Sequence, residues 1–238
     1  MAISFTKSWV SILNTLSISK RKPFIPSFPV YKTHSLSFSV RANKMEESEI
    51  KEGGGEGAST QKKIFVAGAT GNTGKRIVEQ LLEKGFSVKA GVRDIDKAKT
   101  IFSNNPSLQI IKADVTENAE KLAEAISDDS EALICATGFQ RSWDPLAPWK
   151  AENYIRKSGI NYTIIRPGGL RDDPPSGNIV MEPEDTLSGG SISRDQVAEV
   201  AVKALIHPEA SYKVVEIIAS SDAPKRSFEE LFGAIKQR

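Results

Sequence analysis

Short apolar runs alternate with patterns typical of amphipathic helices along most of the chain. The run at 63–67 has the composition of a buried strand, and the apolar residues after it recur at helical spacing: Ile77, Val78, Leu81 and Leu82. Similar apolar runs predict further strands: 86–92, 108–113, 132–136, 161–166 and 212–218. Because strands and helical segments alternate, the pattern predicts an α/β fold with a doubly wound parallel sheet.

Helix ends in this pattern coincide with capping residues and with helix breakers. Thr116 is the predicted N-cap of a helix over 116–126, and another helical pattern runs over 150–158, where Gly159 stops it. Two later helices begin at capping boxes: Ser193 with Gln196, and Ser227 with Glu230. Proline and glycine are concentrated in 170–190, which predicts a loop.

Three glycines at the spacing G-x-x-G-x-x-G join the strand at 63–67 to the helix that follows. Gly68 can adopt a turn conformation closed to other residues, Gly71 lets the backbone approach a ligand, and Gly74 lets helix and strand pack closely. The free amides at the start of such a helix bind a pyrophosphate. The strand–turn–helix context therefore predicts a dinucleotide site with these residues: Gly68, Thr70, Gly71, Asn72, Thr73 and Gly74.

The neighbouring Gly74-Lys75 pair does not form a nucleoside-triphosphate loop. The pattern G-x-x-x-x-G-K-[ST] needs glycine where Ala69 stands, and serine or threonine where Arg76 stands. Both positions fail, so chemistry on ATP or GTP is not expected.

The tip of the strand at 86–92 carries the residue that selects between the two nicotinamide cofactors. An acidic residue there holds the ribose 2′-hydroxyl of NAD, whereas an arginine accommodates the 2′-phosphate of NADP. Arg93 is always charged and can bind phosphate through two donors, so NADP is favoured over NAD. Asp94, the next residue, keeps NAD as the alternative.

The ends of the next two strands complete the predicted site, because ligands of this fold lie at the carboxyl ends of the strands. Asp114 and Val115 follow the strand at 108–113 and are expected beside the adenine. Ala136, Thr137 and Gly138 end the strand at 132–136 and are expected along the ribose and nicotinamide.

Charge and composition divide the chain into a leader, a linker and a domain. Residues 1–45 are serine-rich, hold seven Lys or Arg and lack acidic residues. That composition predicts an organelle transit peptide, chloroplast being favoured over mitochondrion, with cleavage near 40–42. Residues 46–61 are acidic and then glycine-rich, as in a flexible linker, and 62–238 form the predicted domain. Beyond the leader the chain carries 25 basic and 30 acidic residues, so nothing predicts nucleic-acid binding.

Cysteine and histidine are scarce in the chain. A single cysteine, Cys135, excludes an internal disulfide and a multi-cysteine metal site. The two histidines, His34 and His207, are too far apart in sequence to suggest a metal centre. No apolar run of about 18 residues predicts a transmembrane helix.

Four motifs of the domain occur together: Gly68-Ala69-Thr70-Gly71-Asn72-Thr73-Gly74, Ala90-Gly91-Val92-Arg93, Ala136-Thr137-Gly138 and Ile164-Ile165-Arg166-Pro167-Gly168-Gly169. Together they resemble the atypical short-chain dehydrogenase/reductase family, and especially its plastid NAD(P)-binding members. Those members are similar to the NADP-binding subunit of the chloroplast inner-envelope translocon and to biliverdin reductase B. The resemblance covers 62–238. It implies a Rossmann fold, NADP binding with Pro167 and Gly168 in the cofactor site, and a location in the chloroplast stroma or at a plastid membrane surface.

One connection is shorter than this resemblance implies. The family places two βα units before the strand at 161–166, but only the 24 residues 137–160 are available here. Since a βαβ unit takes about 30 residues, the sheet is expected to be one βα unit short. A skipped exon or a faulty gene model would explain the gap. The strand at 161–166 is then expected directly beside the strand at 132–136, in a protein that is less stable and catalytically impaired.

The short connection removes the residues that catalyse reactions in the family. Its members use a tyrosine and a lysine at i and i+4 for proton transfer, whereas Tyr154 and Lys157 are at i and i+3, as on an ordinary helix face. No catalytic residue is assigned. The expected function is an NAD(P)-binding protein, either an NADPH-dependent reductase of a small plastid metabolite or a non-catalytic NADP(H)-binding or sensing module. The non-catalytic module would dock on a thylakoid or envelope partner. A truncated inactive isoform is the remaining alternative.

Overall fold

The computed structural model describes residues 10–14, 62–127, 129–138 and 147–236. In chain order the strands are β1 (Val10–Asn14), β2 (Lys63–Ala67), β3 (Ser87–Val92), β4 (Leu108–Lys112), β5 (Ala132–Cys135), β6 (Asn161–Pro167), β7 (Gly169–Arg171), β8 (Asn178–Pro183), β9 (Ser191–Ser193) and β10 (Lys213–Ser220). The helices are α1 (Asn72–Glu83), α2 (Ile95–Ile101), α3 (Ala119–Ile126), α4 (Ala147–Lys157), α5 (Arg194–Ala204) and α6 (Phe228–Ala234), with a 3-10 turn at Pro208–Ala210.

All the strands belong to one sheet, in the order β4-β3-β2-β5-β1-β6-β10-β9-β7, with β8 on β10. The first four strands in this order are parallel, and β6 is parallel to β10. β1 is antiparallel to both of its neighbours, so β5 and β6 run in the same direction. The α/β Rossmann sheet expected from the alternating pattern is confirmed.

β1 lies between β5 and β6, and this corrects the expectation that the strand at 161–166 would lie directly beside β5. Ser11 is opposite Cys135 in β5, and Val10 is opposite Ile165 in β6. The physical reason is backbone hydrogen bonding, because two facing strand edges without a partner would leave amides and carbonyls unsatisfied. β1, which lies within the predicted leader, supplies those partners on both sides.

The segment 170–190 is more ordered than its proline and glycine content predicts. β8 pairs with β10 over six residues, from Asn178 opposite Ser220 to Pro183 opposite Val215. The loop prediction is therefore wrong for this part, because pairing with a strand distant in sequence outweighs the local breakers.

The helix predicted over 116–126 begins three residues later, at Ala119. Asn118 is its N-cap, and the Asn118 side chain accepts from the amide of Lys121 at 2.9 Å. Thr116, the predicted cap, instead donates its amide to Asp114 at 2.9 Å. The side chain of Asp114 thus holds Thr116 in a turn before the helix.

Both predicted capping boxes are confirmed: Ser193 with Gln196, and Ser227 with Glu230.

The core lies between the sheet and its helices. Ile77, Val78 and Leu81 form the buried face of α1, and α1 packs beside α5, most of whose residues are buried. Burial of an aliphatic side chain contributes about 1.5–3 kcal/mol each. This packing fixes the start of α1 against the carboxyl ends of β2 and β5, where the candidate site lies.

Candidate dinucleotide-binding site

The loop between β2 and α1 has the geometry that its three glycines predict. Gly68 has a φ of +75°, which only glycine adopts without strain. The amide of Gly71 donates to the Gly68 carbonyl at 3.0 Å, which closes the turn. A Cβ at position 74 would lie 2.1 Å from that carbonyl oxygen, so the helix approaches the loop too closely for any side chain there.

The N-terminus of α1 is suited to an anion. Gly71 is its N-cap and contributes no side-chain hydrogen bond, and the first turn holds no acidic residue. The first amides of a helix have no partner within the helix and carry its positive dipole end. Gly71 and Asn72 are exposed at this point, Thr70 is half-buried, and Thr73 and Gly74 are buried. A pyrophosphate would therefore bind backbone amides.

Two backbone contacts join this loop to the neighbouring strand ends. The amide of Ala69 donates to the Gly91 carbonyl near the end of β3 at 3.3 Å, and the amide of Ala136 donates to the Ala67 carbonyl at 2.9 Å. A Cβ on Gly68 would lie 3.0 Å from the Ala136 carbonyl oxygen. The structure thus brings the glycine loop and the predicted nicotinamide side into direct contact.

Two adjacent charged residues at the tip of β3 are engaged differently. Asp94 is the N-cap of α2, and its Oδ1 accepts from the amide of Lys97 at 3.0 Å. Arg93 is exposed. The carboxylate that would contact a ribose 2′-hydroxyl is therefore directed to a helix start, while the guanidinium lies at the surface.

The predicted adenine side lies at the end of β4. The amide of Ala113 donates to the Val92 carbonyl at 2.8 Å, which places Asp114 near Arg93. Hydrogen bonds from the backbone and side chain of Thr116 lower the pKa of Asp114, and the Arg93 charge adds to this effect. Val115 is exposed. A cavity of about 180 Å³ opens here, lined by Lys112, Ala113, Asp114, Glu117, Lys121 and Leu122.

Pro167 and Gly168 lie at the end of β6, which β1 separates from β5. The amide of Gly168 donates to the Ile217 carbonyl at 2.9 Å, and a Cβ on Gly168 would lie 2.7 Å from the Gly190 carbonyl oxygen. Close packing against the 190 turn is thus a structural reason for this glycine. Both of these contacts link Gly168 to β10 and to the 190 turn.

An ion-pair cluster lies beside the end of β6, and the sequence analysis did not predict it. Arg166, at the end of β6, is buried and donates to Glu152 of α4 and to Asp185. Glu184 joins the cluster through Arg156. The sequence shows only a charged residue, Arg166, at the end of an apolar strand. Such a residue indicates a buried partner but does not identify it.

The contacts of Arg76 and the exposure of Tyr154 do not favour a catalytic role for either residue. Arg76 donates to Asp195 of α5 at 3.0 Å and to the Asn72 carbonyl at 2.6 Å, so it joins two helices. Tyr154 is 80% exposed on α4, as expected for an ordinary helix face.

Among the described residues, none of the His, Cys, Asp and Glu side chains form a group able to hold a metal. No helix in the same part of the chain is long and apolar enough to cross a bilayer.

These features are those of a dinucleotide-binding Rossmann domain. A family model described as NAD(P)H-binding matches residues 68–147 and 146–208, more than half of the chain. The chain therefore belongs to the NAD(P)H-binding family. The two matched segments overlap at 146–147, where α4 begins.

Two plant relatives are similar over most of the chain. An uncharacterized chloroplastic protein of Arabidopsis thaliana is 51% identical over 262 aligned positions, which cover 86% of this chain and 92% of the relative. The chloroplastic protein TIC 62 of Pisum sativum is 29% identical over 72% of this chain, but only 46% of its own length is covered. The chloroplast location predicted from the leader is confirmed by these relatives.

Solved structures share the fold. The oxidoreductase ylbE from Lactococcus lactis is 18% identical with a TM-score of 0.57, over 72% of this chain and 95% of that one. A Rossmann-fold NAD(P)-binding family protein from Shigella flexneri is 21% identical with a TM-score of 0.52, over 70% and 98%.

Proposed function

We propose that this protein binds NADP(H) in preference to NAD(H). The observation that carries the proposal is the arrangement at the tip of β3. Asp94 accepts a hydrogen bond from the α2 amide of Lys97, while Arg93 is exposed beside the end of β4. A guanidinium is a bidentate partner for a phosphate, and it selects for the 2′-phosphate of NADP.

The bound dinucleotide would extend across the carboxyl ends of four strands. Its pyrophosphate would bind the amides at Gly71 and Asn72, and its adenine would lie toward the cavity at Asp114. Its nicotinamide would lie toward Ala136, Thr137 and Gly138. These assignments follow from the contacts among the loop and strand ends and from the rule that such ligands lie at this edge.

Equilibrium binding of NADP and NAD to the full chain tests the preference. Arg93→Glu removes the cation and adds repulsion, so NADP should bind about 10–150-fold more weakly, which corresponds to about 1.5–3 kcal/mol for a hydrogen bond to a charged group. NAD affinity should change far less. Asp94→Asn keeps a capping side chain and should leave both affinities nearly unchanged.

The matched control is Arg226→Glu, which makes the same charge change at an exposed arginine outside the site. It should alter neither affinity. Equal losses of NADP and NAD affinity in Arg93→Glu would show that Arg93 does not distinguish the cofactors. A loss of NAD affinity in Asp94→Asn would assign the ribose contact to Asp94 instead.

Reduction of a small plastid metabolite is the second candidate. Hydride chemistry belongs to the nicotinamide when it is bound, so the protein's part is to position it and supply a proton. Tyr154, compared above with the tyrosine of the family's catalytic tyrosine–lysine pair, is exposed on α4. No lysine stands four residues after it. This favours holding NADP(H) without turnover.

NADPH consumption separates the two candidates. The full chain is incubated with NADPH and a panel of quinones, flavins and carbonyl compounds, beside a Gly71→Trp variant whose indole would block the pyrophosphate position. Turnover equal to that of the variant supports the holding function. Steady turnover above it would establish a reductase.

A further inference from the structure

β1 is an interior strand of the sheet although it comes from the leader segment. Its register on β5 runs from Ser11 opposite Cys135 to Asn14 opposite Ala132, and on β6 from Val10 opposite Ile165 to Asn14 opposite Asn161. α5 also lies against β1. The strand is therefore enclosed by two strand edges and a helix.

The position of β1 is one that a parallel strand occupies in a complete sheet of this type. β5 and β6 run in the same direction, and a strand between them would need its own crossover helix. The connection 136–160 has 25 residues, of which α4 takes 11. About 30 residues are needed for a βαβ unit, so this connection cannot supply the strand.

The alignment with the Arabidopsis relative contains more residues of the relative than of this chain. It spans 262 positions, yet 86% of a 238-residue chain is only about 205 residues, so about 57 positions hold a residue of the relative alone. That surplus is enough for a strand and its helix.

We propose that Val10–Asn14 replaces the strand of a βα unit that this chain lacks, and that the slot between β5 and β6 is a strand-acceptor site for this segment. The slot offers two facing rows of amides and carbonyls, which an extended segment satisfies by antiparallel pairing on both sides. The sequence Val10-Ser11-Ile12-Leu13-Asn14 holds two β-branched residues, as strand formation favours.

The geometry favours a strand from the same chain over one from a second copy. Asn14 is opposite Ala132, which is itself opposite Ile64 near the start of β2. Two strand spacings amount to about 10 Å. The 48 residues between Asn14 and Lys63 span that distance easily. A tether of this kind gives the segment a high effective concentration at the slot.

The consequence concerns processing of the leader. Cleavage near 40–42 would cut the covalent link between β1 and β2 but would leave the sheet pairing of β1 intact. The leader fragment therefore stays bound to the domain after cleavage, as a strand held by backbone hydrogen bonds.

Cleavage of the full chain tests this directly. A specific protease site is inserted between Gly54 and Gly55, the purified chain is cut, and the products are separated by gel filtration. The leader fragment should co-elute with the domain at 1:1 in a species of monomer size. Hydrogen exchange of amides in β5 and β6 should stay as slow as in the uncut chain.

Ile12→Pro supplies the variant, because proline removes an amide donor and does not fit an interior strand. Exchange in β5 and β6 should become at least tenfold faster, and the fragment should separate after cleavage. Ser37→Pro is the control elsewhere in the leader and should change neither result. If Ile12→Pro does not fold, the cut wild-type chain still decides. Release of the wild-type fragment with unchanged exchange would overturn the proposal, and a dimer with exchanged strands would overturn its single-chain form.

Discussion

Arg166 donates to both carboxylate oxygens of Glu152, from Nε to Oε1 at 2.8 Å and from Nη2 to Oε2 at 2.6 Å. The two side chains are only 6% and 2% exposed. The pair joins α4 to the end of β6, and so fixes the helix that follows the connection from β5. A buried charge in such a pair depends on its partner, because it has no access to water.

Glu152→Gln should therefore destabilise the protein strongly. Removal of one partner of a buried pair costs about 3–5 kcal/mol, and the lower end is expected because Arg166 keeps Asp185 at 2.9 Å. Urea unfolding of the full chain measures the loss. Glu124→Gln, at an exposed position of α3, should stay within about 0.5 kcal/mol of the wild type. A loss below about 1 kcal/mol for Glu152→Gln would mean that the pair adds little to stability.

The parts of the fold that depend on local pattern were predictable from the sequence. The strand at 108–113 is found at Leu108–Lys112, and both capping boxes occur as expected. β1 was not predictable, because its placement depends on a slot formed by strands more than 100 residues away. β8 was missed for the same reason, since β10 determines its pairing.

Gly74→Ala should disturb the glycine loop without removing any contact. The added methyl would lie 2.1 Å from the Gly68 carbonyl oxygen, so α1 or the loop must move. Overpacking of this kind costs about 1–3 kcal/mol. A lower melting temperature and weaker NADP binding are expected together.

Gly233→Ala is the matched control for that substitution. It lies in α6 with no atom within 4 Å of the new Cβ, so it should be neutral or add about 0.5–1 kcal/mol through helix propensity. If Gly74→Ala behaved like Gly233→Ala, the close approach of helix and loop would not matter for the site.

A carboxylate that binds a buried lysine gives the stability a pH dependence. Lys89 of β3 is 5% exposed, and its ammonium is bound by Asp129 and by Ser127 Oγ at 2.5 Å. Hydrogen bonds from Lys63 and then Lys89 hold the pKa of Asp129 well below its ordinary value of 3.8. The carboxylate therefore stabilises the fold above about pH 4, and this stabilisation is lost as the pH falls further.

Asp129→Asn should reduce stability at pH 7 by about 1 kcal/mol, a small value because Asp129 is half exposed and screened. The variant should also lose less stability than the wild type as the pH falls below about 4. Thermal unfolding from pH 3 to pH 7 measures both effects. Asp96→Asn, which removes an exposed surface pair with Lys99, should follow the wild-type profile. Parallel profiles for all three proteins would contradict the role given to Asp129.

Some features of the candidate site could be predicted from neighbouring residues in the sequence, and others depend on residues far away in the chain. The glycine spacing and the Arg93 position follow from residues next to one another, and the structure places both at the expected strand ends. Asp94 is engaged by α2 because the helix begins at the next residue and the amide of Lys97 competes for the Asp94 carboxylate. The Arg166 cluster was missed because its partners come from α4 and from a turn before β9.

A coupling experiment tests whether β1 occupies the position of a missing strand between β5 and β6. A strand and helix with the family's pattern are inserted after Lys150, in the full chain with and without Ile12→Pro. In the natural chain Ile12→Pro should lower the melting temperature clearly, because the slot between β5 and β6 loses its strand. In the chain with the insertion, the new parallel strand should occupy that slot, so β1 is displaced and Ile12→Pro should have almost no effect. The difference between the two effects is a coupling free energy between β1 and the inserted strand. Equal effects of Ile12→Pro in both backgrounds would show that β1 and the inserted strand do not compete for the same position.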